Sequence, residues 1–380
     1  MSFIFNTKDL QKALKDVSGT LGGKSDMPVL SCVLLRRTDD GACMTTTSLI
    51  ASTVRSVSCE GEGFNVAIPH KELSAIVGRA RGQTVEIELK EAPRVVDKGP
   101  DVGVVVVRSG NARSEISTID HEIFPTIDIA CADQSFVIRS TDLLAALDYA
   151  GYAMSSDEGR PHLCGLHMSM DRASNELTCV ATDGHRLITK NIGKIDADFE
   201  EIKEGITINR EGALSLQNAL RGRDCDVTLS VGRQIYAKMD DVAFGFAIID
   251  STFPNFRQVI PYFGDRSKIV FSVKDMLTAI GDVMPSVSRD TMSILVHLSA
   301  KGCSLSSKND NASTVVKIGD LGWTGDDLTF GINAGYLTET LRASTRESVK
   351  MYVEGALKPI IIQCEGADDS GISVVMPMRV

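Results

Sequence analysis

Phe3-Ile-Phe-Asn-Thr-Lys-Asp-Leu-Gln-Lys-Ala-Leu14 opens the chain, and its pattern returns twice, as Phe136-Val-Ile-Arg-Ser-Thr-Asp-Leu-Leu-Ala-Ala-Leu147 and Ile269-Val-Phe-Ser-Val-Lys-Asp-Met-Leu-Thr-Ala-Ile280. The copies are equally spaced. Each reads as a short strand, then an Asn or Ser turn suited to cap a helix, then an amphipathic helix with Asp near its first turn. Equal spacing of the same three-part pattern is the mark of a tandem repeat.

Working outward, a second strand and helix start recurs inside each copy, as Val66-Ala-Ile-Pro-His-Lys-Glu-Leu73, Ile206-Thr-Ile-Asn-Arg-Glu-Gly-Ala213 and Phe330-Gly-Ile-Asn-Ala-Gly-Tyr-Leu337. Each runs on to an alternating strand: Thr84-Val-Glu-Ile-Glu-Leu89, Asp226-Val-Thr-Leu-Ser-Val231 and Ser348-Val-Lys-Met-Tyr-Val353. A third echo closes the copies at Phe124-Pro125, Phe253-Pro254 and Met376-Pro377. Short alternating stretches such as Gly41-Ala-Cys-Met-Thr-Thr-Thr47 and Glu176-Leu-Thr-Cys-Val-Ala-Thr182 fill the intervals. The reading is an α+β chain of three similar domains, 1–132, 133–263 and 264–380, each with helices against antiparallel sheet. Three units sharing 380 residues fall in the usual domain range of ~100–150 residues.

Composition is that of a globular protein, with 43% apolar and 24% charged residues. No apolar run approaches the ~20 residues that span a bilayer, and the N-terminus turns polar too early for a secretory signal. No membrane partner and a cytoplasmic location are therefore expected. Nine cysteines are scattered singly with no C-x-x-C pair, which fits buried free thiols in a reducing compartment. The six histidines lack metal-ligand spacing. No metal, cofactor or catalytic constellation is expected.

Forty Lys and Arg against fifty Asp and Glu leave a net charge of −10, so any nucleic-acid contact requires local positive charge. On a helical wheel Lys8, Lys12 and Lys15 share one face while Leu10, Ala13, Leu14 and Val17 share the other. The equivalent helices carry Lys71 and Arg79 with Arg81, then Arg210 and Arg221 with Arg223, then Lys274 with Arg289, then Arg342 with Arg346. The helix near Ser140 is the exception, with Asp142 and Asp148 and no cation. Acidic residues concentrate in connections such as 196–201 and 368–369. One exposed helix face often bears cations for solubility alone; repetition on equivalent helices points instead to a shared basic surface.

Three local motifs bear on chemistry. Ser18-Gly-Thr-Leu-Gly-Gly-Lys-Ser25 approaches a phosphate loop but follows a helix and precedes a Pro28-led strand, the reverse of the required context. Ala181-Thr-Asp-Gly-His-Arg-Leu187 is either a tight Asp183-Gly184 turn or, on a rival enzyme reading, an acid–base pair of Asp183 and His185. Ser373-Val-Val-Met-Pro-Met-Arg-Val380 is either a last strand or an adaptable lip for apolar partners.

These stretches, with Val17-Ser-Gly-Thr-Leu-Gly-Gly23, closely resemble the bacterial DNA polymerase III beta subunit family, the beta sliding clamps, over essentially the whole chain. The resemblance implies a DNA-clamp fold whose helices line the inside and whose sheets form the outside. It implies a homodimer closed head to tail around sequence-independent duplex DNA, with Lys24 in a basic loop touching it. It implies a partner-peptide cleft between the second and third domains. Carried onto matching positions, the lining is Leu163, Thr182, Gly184, His185, Arg186, Leu187, Pro254, Val259, Val374, Val375, Met376, Pro377, Met378 and Arg379. Short linear motifs of the DNA polymerase III catalytic subunit, the clamp loader, other polymerases and repair proteins would dock there. Ile116 and Val287 are the candidates for dimer contacts. Gln258, Val380, Pro161 and His162 depart from relatives. An inert scaffold that never meets DNA is the remaining alternative, and sliding on closed against cut circles separates it from a clamp.

Overall fold

The computed structural model describes all residues except 23–26, 97–98, 126–133, 198–199, 233, 264–265, 366–370 and 380, with backbone alone over 91–96 and 99–102. Lys24, Val380, Asp198, Asp368, Asp369 and the expected boundary at 132 lie outside the described residues.

Each repeat opens as its sequence dictates. Strand Ser2–Asn6 ends in Asn6, whose side chain accepts from the Lys8 and Asp9 amides and starts helix Thr7–Val17. Asp9 in the first turn and Lys15 in the last complement the helix dipole. Leu10, Ala13, Leu14 and Val17 are buried while Lys8, Lys12 and Lys15 are exposed. Ser135–Arg139 followed by Ser140–Ala150, and Lys268–Ser272 followed by Val273–Val283, repeat the arrangement. The second helices, His70–Gly78, Arg210–Leu220 and Ala334–Arg342, follow their strands likewise. Asn209 and Asn333 cap the last two, accepting from Gly212 and from Gly335 and Tyr336.

By compactness the chain forms two units that cut across the repeats. One comprises 1–144, 196–199 and 208–248; the other comprises 145–195, 200–207 and 249–380. The cut falls inside the second repeat because sheets continue from one repeat into the next. In the first unit, Val242–Ala247 of the second repeat pairs antiparallel with Ala51–Val57 of the first, within a 13-stranded sheet. In the second unit, Gly371–Val375 of the third repeat pairs with Arg186–Lys194 of the second, within an 8-stranded sheet; a 4-stranded sheet completes the third repeat. Backbone hydrogen bonding therefore runs across each joint.

The first unit's main core gathers Phe3, Phe5, Leu10, Leu14, Phe64 and Leu73 between sheet and helices. Its two first-repeat helices are tied by Gln11 donating to the Val77 carbonyl at 2.9 Å and by His70 Nε2 at 2.9 Å from the Leu14 oxygen. No helix among the described residues is long and apolar enough to cross a membrane.

Several details differ from the sequence reading. Pro28 leads a 3-10 turn, Pro28–Ser31, and the strand begins at Cys32; a proline lacks the donor that a ladder needs. Cys32, Cys179, Cys303 and Cys364 are buried, but Cys43, Cys59, Cys164 and Cys225 are only partly so. Arg79 and Arg221 sit at the C-caps of their helices, where the dipole favours positive charge. Arg223 is not free for an outside anion. Its guanidinium binds Asp16 at 2.7 Å and Asp241 at 3.0 Å, the same two acids that hold buried Arg55.

Candidate functional site

The Ala181-Thr-Asp-Gly-His-Arg-Leu187 stretch is the turn between strands Glu176–Thr182 and Arg186–Lys194. Gly184 takes φ +90°, a left-handed conformation that favours glycine. Thr182 knits the turn, its hydroxyl donating to the Arg186 carbonyl at 2.6 Å and accepting from the Gly184 amide at 3.1 Å. Asp183 Oδ1 accepts from the amides of His185 and Arg186. Asp183 is therefore a turn-forming residue, its Oδ1 engaged by the backbone of the turn.

The C-terminal segment lies along this turn. Val375 pairs with Arg186 and Val374 with Leu187; the Met376 amide then donates to the His185 carbonyl at 2.9 Å. Gly371–Val375 is a strand, and beyond it Met378 bridges to Gly331. The strand reading of the tail therefore holds as far as Val375. Val180, Leu187, Phe253, Phe256 and Val374 form one buried cluster, flanked by half-buried Ile260 and Ile372. Above it Val259, 44% exposed, and Met376, 42% exposed, are apolar side chains left in water. Exposed apolar side chains beside a buried apolar cluster make a local apolar surface patch, with that cluster as its floor.

Thr182, Gly184, His185, Arg186, Leu187, Val374, Val375 and Met376 are brought together in this way, while the Val259 amide bonds to Phe256 of the floor and that of Met378 to Gly331. Pro254 is exposed directly after Phe253 of the floor, Pro377 is half-buried between the two methionines, and Arg379 is exposed at the end of the tail. Leu163 is buried in the loop whose carbonyl accepts from the Ser155 amide.

Behind the turn stands a polar assembly that the sequence reading missed. Arg186 has only 7% of its side chain exposed; Nε meets Asp183 at 3.0 Å, Nη1 meets Glu339, and Nη2 donates to the Tyr152 carbonyl at 3.1 Å. Its guanidinium carbon lies 4.9 Å from the Tyr152 ring centre and 4.5 Å from that of Tyr336. Tyr336 in turn stacks near His185, 6.1 Å between centroids and 20° between planes. Burial pushes the Tyr152 phenol up to about 12 and also raises that of Tyr336, so both rings stay neutral. The missed signal was in the repeat itself: Tyr336 stands where Gly212 stands in the preceding copy.

Beneath the floor, His167 stacks on Phe253 at 4.3 Å with nearly parallel rings, and Nδ1 is 3.0 Å from the Thr207 hydroxyl. Burial, with a lesser contribution from the Arg257 charge, pulls its pKa down to about 4. It is a neutral structural ring. Among the described residues no cluster of His, Cys, Asp or Glu could hold a metal ion.

Of the helix cations, Lys8, Lys12, Lys15, Lys71, Arg79, Arg221, Lys274 and Arg342 are exposed and Arg210 is half-buried. Ile116 and Val287 are 5% and 6% exposed, each within its own core.

Tandem repeats fused through continuous sheets, with an apolar cluster at one joint, define a clamp-type scaffold. Comparison with known proteins gives it a family. Models of the N-terminal, central and C-terminal domains of the DNA polymerase III beta subunit match residues 1–128, 138–255 and 257–379. The beta sliding clamps of Vibrio cholerae and Escherichia coli are 25% and 26% identical, each over the full length of both chains. In solved structures, the DNA polymerase III beta subunit of Thermotoga maritima shares the fold at TM-score 0.88 with 22% identity, covering 100% of this chain and 99% of that one. That of Pseudomonas aeruginosa matches at 0.85 with 25% identity over the whole of both chains. This chain belongs to the DNA polymerase III beta subunit family, a DNA sliding clamp and non-catalytic processivity factor.

Proposed function

We propose that two copies of this chain close head to tail around duplex DNA and that the groove beside Asp183–Leu187 tethers partner proteins through short linear motifs. The observation that carries the tether is the exposed Val259 and Met376 above the buried cluster of Leu187, Phe253, Phe256 and Val374. A small, desolvated apolar pocket with a polar edge supplies the buried anchors that dominate peptide recognition. The replicative polymerase, its loader, and other polymerases and repair proteins share this one groove. Each gains residence on DNA from raised effective concentration rather than from its own grip.

Closure is supported by two strand edges. Ala112–Ile119 pairs along its length with Gly99–Ser109 but meets Val66–Pro69 only at Ile119. Ser313–Gly319 is an end strand of the 4-stranded sheet, with Val315 64% exposed. Unpaired edges of this kind are templates for joining another chain. The dimer contact thus runs through backbone around Ile116, whose side chain belongs to the core. In the ring the helix cations face the duplex, and phosphate contacts without base readout let it slide. The tandem domains are delimited at 1–132, 133–263 and 264–380, and the protein works on the cytoplasmic chromosome.

Removing residues 376–380 tests the tether: partner-peptide binding disappears while the solution mass stays that of a dimer. Retention on nicked circles but not on linear duplex tests the ring. A dimer that leaves both equally fast would overturn it.

A further inference from the structure

Arg186, beside the turn, has its charge committed from behind. Asp183 and Glu339 neutralise it, the Tyr152 carbonyl takes one of its donors, and two neutral phenol rings close over its faces. A guanidinium so engaged has little left to offer a ligand; planar and rigid, it serves instead as a strut. One of those rings, Tyr336, in turn stacks near His185, which is exposed at the turn.

The first joint of the same chain provides an internal control. Its turn, Thr47 to Ala51, has the same backbone scheme, with the Thr47 hydroxyl to the Ala51 carbonyl and the Leu49 amide to Thr47. Counting from the turn, Ala51 replaces Arg186. Counting from the capping asparagines, Gly212 replaces Tyr336 and Ser215 replaces Glu339. In the 3-10 turns that follow the first helices, Gly19 replaces Tyr152. All four positions are small there, and one hydrogen bond from Ser215 to the Gly19 carbonyl at 2.6 Å spans the gap. The second joint thus carries all four large residues and the first none of them.

We propose that Glu339 and Tyr152, which do not line the groove floor, are positioning residues for partner binding: they hold Arg186 beneath Tyr336 and so fix the Tyr336–His185 wall against which a docked peptide packs. This rests on the groove being the peptide site. Ordering an aromatic wall before binding lowers the entropic cost of association. Glu339 is about half exposed, so it adds little to stability yet still sets the guanidinium angle.

The test uses the full-length protein and a fluorescein-labelled peptide carrying the clamp-binding segment of the cognate polymerase catalytic subunit. Glu339→Gln should weaken binding about fivefold, the equivalent of one modest ion pair, with the melting temperature unchanged. Tyr336→Ala should weaken it more, and adding Glu339→Gln to Tyr336→Ala should cost nothing further, because Glu339 acts only through that ring. Tyr152→Leu should weaken binding to a similar extent, with some loss of stability because its hydroxyl also bonds Thr340. Independently of peptide, the His185 ring resonance, which senses Tyr336, should move in Glu339→Gln. A fixed His185 resonance, or additive losses in the double variant, overturns the proposal. A wild-type protein that binds no peptide while His185 still responds overturns the groove reading and leaves the strut standing.

Discussion

The two joints of this chain share a backbone and differ in side chains. Thr182, Asp183, Gly184, His185, Arg186 and Leu187 at the second correspond to Thr47, Ser48, Leu49, Ile50, Ala51 and Ser52 at the first. The resemblance extends to single hydrogen bonds. Ser48 accepts from the Ala51 amide as Asp183 does from Arg186, and the Ala247 amide donates to the Ile50 carbonyl as Met376 does to His185. Leu49 even shares the left-handed backbone, at φ +77°. Yet the first joint is lined by hydroxyls, Thr46 with Thr20 and Thr47 with Ser52, where the second has its apolar cluster. A turn geometry fixes where a groove would be; the residues hung on it decide whether one exists.

Exchanging residues between the joints breaks that comparison most strongly at Leu187. Leu187→Ser installs the first joint's residue in the second, removing buried apolar volume and adding a hydroxyl. Destabilisation of about 4 kcal/mol is expected in chemical denaturation, with peptide binding lost. An unchanged peptide affinity would detach the cluster from the groove. Arg186→Ala comes next. It leaves Asp183 and Glu339 facing each other, at a cost of about 3 kcal/mol, tempered by the exposure of Glu339. Unlike Glu339→Gln, it should lower the melting temperature.

Acid distinguishes the joints as well. His167 stacks on Phe253 in the second, while Leu34 clusters with Phe124 in the first. The His167 pKa falls from 6.5 unfolded to about 4 folded. The unfolded chain thus takes up the proton first, so this contribution is complete above pH 6.5 and is lost as pH falls toward 4. The full loss is about 3 kcal/mol. His167→Leu should flatten stability across that window, and an unaltered pH profile would assign acid sensitivity elsewhere. The smallest effect belongs to Leu49→Gly. Relief of the left-handed leucine is offset by the freedom glycine gains when unfolded, leaving less than about 1 kcal/mol and no change in peptide affinity.

Most of the secondary structure was legible because it is locally encoded. Asn6, Asn209, Ser272 and Asn333 cap helices where their repeats predict, and the spacing of Leu10, Leu14 and Val17 marks the buried face. The turn at Asp183-Gly184 was equally readable, since a glycine at positive φ acts over a few residues, whereas the tail pattern left strand and lip open and did not mark Val375 as the strand's end. Of the groove, the turn and tail could be located through likeness to a family.

The strut could not. Arg186 read as a groove cation and Arg223 as a surface one, because a sequence gives a residue's charge but not the acid that folding brings to it. Glu339 and Asp16 lie far from their partners along the chain, and only long-range pairing of sheets delivers them. The chain by itself determined three repeats, their capped helices and the place of the turn, all short-range consequences of side-chain chemistry. The tertiary structure decided that the repeats merge into two compact units, that one joint is apolar and the other hydroxylated, and which charges are spent within the fold. Those outcomes depend on contacts between distant segments, whose energies no local pattern records.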